Sequence, residues 1–282
     1  MNDNKKIAAV TMARNDEFFL NRWIAYYGKE LGEENLFVYL DGLDQTIPAG
    51  AGNANVKICE KNTLNVYDLE RYRLKFLSER AAELFAKGYE LIIGADSDEF
   101  LVADPNTGMG LATYLSSIKI KTTVSGLGLD FGENMNVEDP FDESLPLLQQ
   151  RSYALLSTRY TKTSVIARPV RWGWGFHRVN GCNFYIDRNL YLLHFGNSDF
   201  ISLQKKATDP EIIASGRAKH FKKRIRVVTD VTNLCAKDGD ELFGRARCIQ
   251  TIFRPLYAWN KPAMLGMRWI AKIPERFKNI GI

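Results

Sequence analysis

Two hydrophobic rhythms alternate along the first third of the chain. Ile7-Ala-Ala-Val-Thr-Met12 is a short apolar run, suited to a strand covered on both faces. Asn15 or Asp16 then offers a side-chain oxygen to free backbone N–H groups, predicting a helix that carries Phe18, Phe19, Trp23, Ile24, Tyr26 and Tyr27 at near-helical spacing as far as Gly32. Leu36 to Leu40 reads as a second strand closed by Asp41-Gly42, and Asn55 to Cys59 as a third. Asp68 to Lys87, rich in Leu, Ala, Glu, Arg and Lys, predicts a helix stopped by Gly88. Leu91 to Gly94 is the next strand and leads into Asp96-Ser-Asp-Glu-Phe-Leu101. Further on, the pattern predicts a short helix over Leu111–Ile118, a strand over Thr122–Leu129 and a loop over 132–150. Strands follow over Ser164–Val170, Cys182–Ile186 and Leu190–Phe195, and the end of the chain reads as helical and basic.

Strands alternating with helices predict an α/β fold with an open, mostly parallel sheet and covering helices. Residues 1–215 are expected to form one domain and 216–282 a basic helical extension, since no linker or repeat interrupts the chain. In such sheets ligands lie at the carboxyl ends of strands. Ala13-Arg14-Asn15, Asp41-Gly42 and Asp96 to Asp98 all fall at strand ends, which predicts one nucleotide-sized site.

Composition narrows this picture. Of 282 residues, 45% are hydrophobic and 25% charged, so the chain lies far from the disordered regime. The first apolar run is too short for a signal peptide, and no stretch approaches the ~20 residues of a membrane span. A cytoplasmic protein is expected. Cys59, Cys182, Cys235 and Cys248 are too scattered for a zinc site or a disulfide framework. The net charge of +5 is uneven, with basic runs from Lys205 to Arg226 and from Arg245 to Lys278. These runs suit an anion (a phosphate-rich donor or the inner, anionic face of a membrane) or a plain solvated surface. Arg217–Arg226 and Met264–Lys278, with Met267, Trp269, Ile270, Ile273 and Phe277, have the spacing of an amphipathic helix that lies on a membrane or docks on the domain. No nucleic-acid motif accompanies the charge, so nucleic acid is not an expected partner.

Asp96 and Asp98 form a D-x-D just past a buried strand. Like charges so close need a cation or hydrogen bonds, and Mg²⁺ or Mn²⁺ favours one or two carboxylates with substrate phosphates. The alternative is a helix N-terminus enriched in acids. A haloacid-dehalogenase reading is set aside because Phe100 stands where that motif wants Thr or Val.

Several segments together resemble bacterial family 2-like glycosyltransferases related to the family 92 enzymes. They are Arg14-Asn-Asp-Glu-Phe-Phe-Leu20 with Trp23 to Tyr27, Val38 to Gly42, Ile93 to Leu101, Arg168-Pro169, Gly175-Phe-His177, and Leu192-Leu-His-Phe195 followed by Lys205-Lys206. The resemblance spans residues 5–210. It implies a GT-A fold and a metal-dependent, inverting hexosyltransferase. Such an enzyme would move a sugar from a nucleoside-diphosphate donor, UDP-sugars favoured, to a glycan or lipid-linked acceptor in bacterial surface polysaccharide synthesis. It also implies that Ala13, Arg14, Asn15 and Asp41 line the nucleotide pocket, with Asp41 on base or ribose. Asp96 would face ribose and metal-bound water, and Asp98 would bind Mn²⁺ or Mg²⁺ directly.

The remaining roles stay open among alternatives. His194 closes an apolar strand and suits the third metal ligand, with His177 in Trp172-Gly-Trp-Gly-Phe-His177 as its rival. A general base is sought in Asp130 and Glu133, with Glu138 and Asp139 as alternatives, although the Trp-x-x-Phe-Gly pattern expected there is missing. Arg73 or Arg71 could reach the diphosphate, and Trp172 or Trp174 a sugar ring. Two other classes compete: a nucleotidyltransferase, whose usual Gly-rich loop after the first strand is replaced by Ala13 to Glu17, and a non-catalytic GT-A-like module of a polysaccharide-synthesis complex.

Overall fold

The computed structural model describes residues 5–61, 65–210, 213 and 218–282. Strands β1 (Ile7–Ala13), β2 (Leu36–Asp41), β3 (Asn55–Cys59) and β4 (Leu91–Gly94) are all parallel, in the order β3-β2-β1-β4. The sheet continues beyond β4 through strands numbered by chain order: β8 (Val165–Ile166), β6 (Thr123–Gly132), β7 (Tyr153–Leu156), β11 (Ile270–Lys272) and β10 (Ala236–Asp238). A layer of β9 (Ile186–Asn197) runs parallel to β6 and antiparallel to β5 (Glu99–Ala103). The helices are α1 (Glu17–Leu31), α2 (Val66–Ala86), α3 (Leu111–Ser117), α4 (Leu147–Gln150), α5 (Phe200–Thr208), α6 (Ala218–Asn233) and α7 (Gly239–Ile252). This is a mixed α/β fold with a largely parallel central sheet flanked by helices, in the GT-A-like, Rossmann-type manner that the sequence predicts.

The two-residue period of the strands explains the layering. Ile7 and Ala9 of β1, Leu36, Val38 and Leu40 of β2, and Leu91 and Ile93 of β4 belong to one core with Leu20, Trp23, Ile24 and Tyr27 of α1. Their neighbours Ala8, Val10, Tyr39 and Ile92 join a second core with Leu74, Leu77, Ala81 and Leu84 of α2. A strand apolar on both faces therefore sits between two helices, and its carboxyl end is the open edge.

The later predictions need correction. Of Ser164–Val170 only Val165 and Ile166 are strand, and Cys182–Ile186 contributes only the first residue of β9. The terminal extension holds helices α6 and α7 but also β10 and β11, which lengthen the same sheet. The predicted amphipathic helix over Met264–Lys278 does not form. Ile270 and Ala271 pair with Leu155 and Ala154 of β7, and Pro274 begins a 3₁₀ turn over Glu275–Asn279. Met264, Ile270, Ile273 and Phe277 are buried, so this segment docks its apolar residues into the core. Arg217 and the expected boundary at residue 216 lie outside the described residues.

Candidate active site

Three of the parallel strands end at one cleft of about 1100 Å³. Ala13, Arg14, Asn15, Asp41, Arg73, Asp96 and Asp98 all line it, so every residue expected at the donor lies on a single wall system. Arg14 holds the loop after β2: it donates to the Asp41 carbonyl and forms a two-pronged pair with Asp44 at 2.8 and 2.6 Å. Asn15, in the left-handed region at φ 50°, exchanges two hydrogen bonds with Gln45, at 2.8 and 2.7 Å. Asp16 precedes α1, yet its side chain caps nothing and instead accepts from the Ser97 hydroxyl. Burial, and then the charge of Asp98, push Asp16 up to about 6.

The turn after β4 carries the acidic pair. Glu99 N–H donates to the Asp96 carbonyl at 3.0 Å, and the chain goes directly into β5 rather than into a helix. The acidic-helix-cap alternative therefore has no helix to cap. Asp96, Asp98 and Glu99 bring one carboxylate oxygen each within 4.8 Å of one another. Arg73 Nη1 lies 2.7 Å from Asp96, and Lys162 Nζ 3.3 Å from its other oxygen. Burial alone would raise Asp96, but Arg73 and Lys162 outweigh it and hold the pKa well below the usual carboxylate range. Lys162 also pairs with Glu99, and both side chains are almost wholly buried. Glu99 is thus committed to Lys162, and Asp96 and Asp98 are the two carboxylates of the three that line the cleft.

Strand register supplies the third donor. On β9, His194 lies opposite Glu99 of β5 on one side and opposite Asp130 of β6 on the other. Its Nδ1 is 2.7 Å from Asp130 Oδ1, which also accepts from Asn197 at 2.6 Å. Tyr160 stacks on the imidazole at 3.8 Å between centroids. That stack depends on Gly128, where a Cβ would overlap the backbone of Tyr160, Ser157 and Thr161. His194 Nε2 faces Asp98 Oδ2 at 3.2 Å without the alignment of a hydrogen bond, and it is a buried polar atom with no partner. Burial favours the neutral ring, but Asp98 and Asp130 outweigh it and raise His194 to about 9. For Asp98, burial is overcome by His194 and then Arg224, and its pKa falls far below the ordinary value.

The space between these groups leaves no room for a side chain at position 196. A Cβ built on Gly196 would overlap Asp98 Oδ2 and come within 2.7 Å of both His194 Nε2 and Arg224 Nη1. The carboxylates of Asp96, Asp98 and Glu99 lie close enough together to suit a divalent cation of the Mg²⁺ or Mn²⁺ kind, and the imidazole nitrogen beside Asp98 is of a type that such an ion also accepts. The Asp130–His194 bond has the form by which a carboxylate orients a metal-binding imidazole.

The other sequence candidates are placed differently. Asp130 is buried behind His194, and Glu133 pairs with the fully buried Arg151 at 3.4 Å and accepts from Phe200 N–H at 3.0 Å. Neither lines the cleft, so neither reaches an acceptor hydroxyl there. His177 also lies off the cleft, and burial, with Lys162 nearby, pushes its pKa well down. Arg73 is at the cleft but is held by Asp96 and Glu70, while Arg71 is exposed outside it. Trp172 is core at 2% exposure, and Trp174 packs on Tyr67 rather than in the cleft.

Four contributors carried no clear signal in the sequence. Lys162 and Tyr160 come from an irregular loop, Gly196 is one glycine among 21, and Arg224 sits in a basic run for which a phosphate-rich donor, a membrane and a solvated surface are all open. Arg224 Nη2 lies 3.3 Å from Asp98, with Lys206 and Phe221 beside it on the cleft wall.

No protein-family model and no curated protein matches the chain. Among solved structures, the mannose-1-phosphate geranyltransferase from Thermus thermophilus is similar over 97% of this chain and 77% of that chain, at 11% identity and a TM-score of 0.33. A likeness of that size leaves the functional reading to the geometry of the cleft. Among the described residues, no helix is long and apolar enough to cross a membrane.

Proposed function

We propose that the chain is a metal-dependent glycosyltransferase that moves a sugar from a nucleoside-diphosphate donor to a hydroxyl of a glycan or lipid-linked acceptor. The observation that carries this reading is the close carboxylate group of Asp96, Asp98 and Glu99, of which Asp96 and Asp98 line a cleft of nucleotide-sugar size, with the buried Nε2 of His194 3.2 Å from Asp98. Asp96, Asp98 and His194 would hold Mn²⁺ or Mg²⁺. When bound, such an ion neutralises charge on the departing nucleoside diphosphate. Asp130 fixes the imidazole so that Nε2 faces Asp98, a positioning role in place of the general-base role that its strand-end location suggested. Lys162 holds Glu99 away from the ligand set and, with Arg73, keeps Asp96 ionised. Arg224 and Lys206 supply positive charge for the phosphates on the wall opposite Arg14. Asp41 and Arg14 shape the loop against which the base would rest.

Calorimetric titration of UDP with and without Mn²⁺, followed by a nucleotide-sugar panel scored for donor hydrolysis, tests the reading. Asp98→Ala should abolish the metal-dependent heat and the turnover while leaving the fold intact. Full activity in that variant would falsify the metal assignment.

Nucleotidyl transfer is the second reading. Among the described residues Arg14, Lys61, Arg73, Lys206 and Arg224 line the cleft, and of these Lys61 and Lys206, outside the ion pairs that hold the three arginines, would face a nucleoside triphosphate and a sugar phosphate. Product analysis separates the two: nucleoside diphosphate released from a sugar nucleotide marks glycosyl transfer. Pyrophosphate released from a nucleoside triphosphate and a sugar 1-phosphate marks the alternative.

A further inference from the structure

The segment that follows α7 carries an apolar surface that the transferase reading does not use. Ile252, Leu256, Tyr257, Trp259 and Leu265 are 65, 109, 78, 59 and 62% exposed. This protrusion is built rather than frayed. Ala258 N–H donates to the Pro255 carbonyl and Ala263 N–H to that of Phe253, both at 3.1 Å. The buried Asn260 side chain donates to the carbonyls of Val179 and Cys182 at 3.1 and 3.2 Å. Ala258 and Met264 are buried beneath the tip. The fold therefore holds five large apolar side chains outward on an anchored loop.

Charge identifies what covers them. From Leu242 to Pro274 the chain contains Arg245, Arg247, Arg254, Lys261, Arg268 and Lys272 but no Asp or Glu. Arg247 turns inward to the carbonyls of Asp187 and Leu190, and Arg268 pairs with Asp230. Arg254 is half-buried and donates to the carbonyls of Gln250, Thr251 and Phe253, and none of the ion pairs among the described residues involves Arg245, Lys261 or Lys272. Lys261, half-buried and with its pKa lowered by that burial, lies 5.6 Å from the Tyr257 ring centre, so a cation and an exposed aromatic share the tip.

We propose that this loop seats the protein on an anionic lipid bilayer, with Leu256 and Tyr257 entering the headgroup boundary and Trp259 beside them. Trp and Tyr favour that boundary because their rings are apolar with one polar edge, and Lys and Arg favour the anionic surface around it. A protein partner would need a socket shaped for a tip on which Leu256 is wholly exposed, whereas a bilayer deforms around it. The membrane contact that the sequence suggested for Met264–Lys278 thus moves to the loop before it and Leu265, since Met264, Ile270, Ile273 and Phe277 of that segment are buried.

The test is sedimentation of the full chain with vesicles of phosphatidylcholine alone or mixed with phosphatidylglycerol, at low and high salt. Binding to the mixed vesicles only, weakened by salt and reduced about tenfold or more in Leu256→Ser/Tyr257→Ser, is expected. Circular dichroism and thermal midpoint of that variant should match wild type, because both side chains are on the surface. Brominated lipid should quench fluorescence that Trp259→Phe removes. Equal recovery in the supernatant with both vesicle types, or a double variant that sediments like wild type, overturns the proposal. So does a dimer in size-exclusion chromatography that the double variant abolishes, which would make a second copy the cover. None of these readouts involves the cleft, so their failure is distinct from failure of the transferase reading.

Discussion

Lys162 is the residue whose removal the structure predicts most sharply. Its side chain is 3% exposed and that of its partner Glu99 is 1% exposed, so solvent does not screen the pair. Asp96 is a further partner of the ammonium at 3.3 Å. In Lys162→Met the hydrocarbon volume stays, but Glu99, which burial already raises to about 7, loses its counter-ion, so above that pH it is a buried unpaired charge and the loss is read at pH 9. Breaking one side of a buried pair costs about 3–5 kcal/mol, whereas replacing both sides with neutral groups is often nearly neutral. With a urea m-value of about 3 kcal/mol/M for a chain of this size, Lys162→Met should lower the midpoint by about 1–1.7 M at unchanged m. Lys162→Met/Glu99→Gln should recover at least half of that, because Arg73 still balances Asp96. The assay is equilibrium urea unfolding followed by circular dichroism on wild type, both singles and the double. A shift under about 0.3 M in Lys162→Met, or a double variant no better than that single, would refute the account of this network.

Other outcomes follow from the same geometry. Asp130→Asn should weaken Mn²⁺ binding by about 10–100-fold in calorimetry without donor, since it loosens the imidazole rather than removing a ligand; unchanged affinity would assign Asp130 to packing alone. Gly196→Ala should weaken metal binding and lower the melting temperature, because its methyl group overlaps Asp98 and crowds Arg224 and His194; an unchanged Mn²⁺ titration would contradict that placement. Arg224→Gln should weaken UDP binding more than binding of Mn²⁺ alone, and an equal loss of both would contradict a phosphate-facing role. Asp104 ties β5 to the chain end through Arg276 at 2.8 and 3.0 Å, and although burial opposes its charge, these bonds lower its pKa. Its contribution is present above the unfolded-state pKa of about 3.9 and is lost as pH falls through the lower folded value. Urea midpoints of Asp104→Asn should therefore approach those of wild type as pH drops toward that range.

The parallel half of the fold was legible because its signals are local. β1 to β4 and the two long helices each carry a period of their own, and glycines at 32 and 88 end the helices where the pattern stops. The acidic pair and His194 were legible as residue types at strand ends. The support around them was not, because it depends on pairing across the chain: Lys162 meets Glu99, Arg224 meets Asp98 and Tyr160 meets His194 only after β6, β8 and β9 are assembled. Met264–Lys278 misled for the opposite reason. Its spacing is helical, yet pairing with β7 offers backbone hydrogen bonds and burial that outweigh local propensity.

The placement of His194 between Glu99 and Asp130 makes the site sensitive to a kind of change that point substitution does not capture. Side chains on a strand alternate, so losing one residue inside Leu190–Leu193 would turn the imidazole to the opposite face and bring an apolar neighbour against two buried carboxylates. A deletion in the irregular stretch before Ile186 leaves the frame of β9 intact. Insertions and deletions should therefore accumulate on one side of Ile186 and be absent from the other as this chain diverges, marking the ligand strand by its constant length.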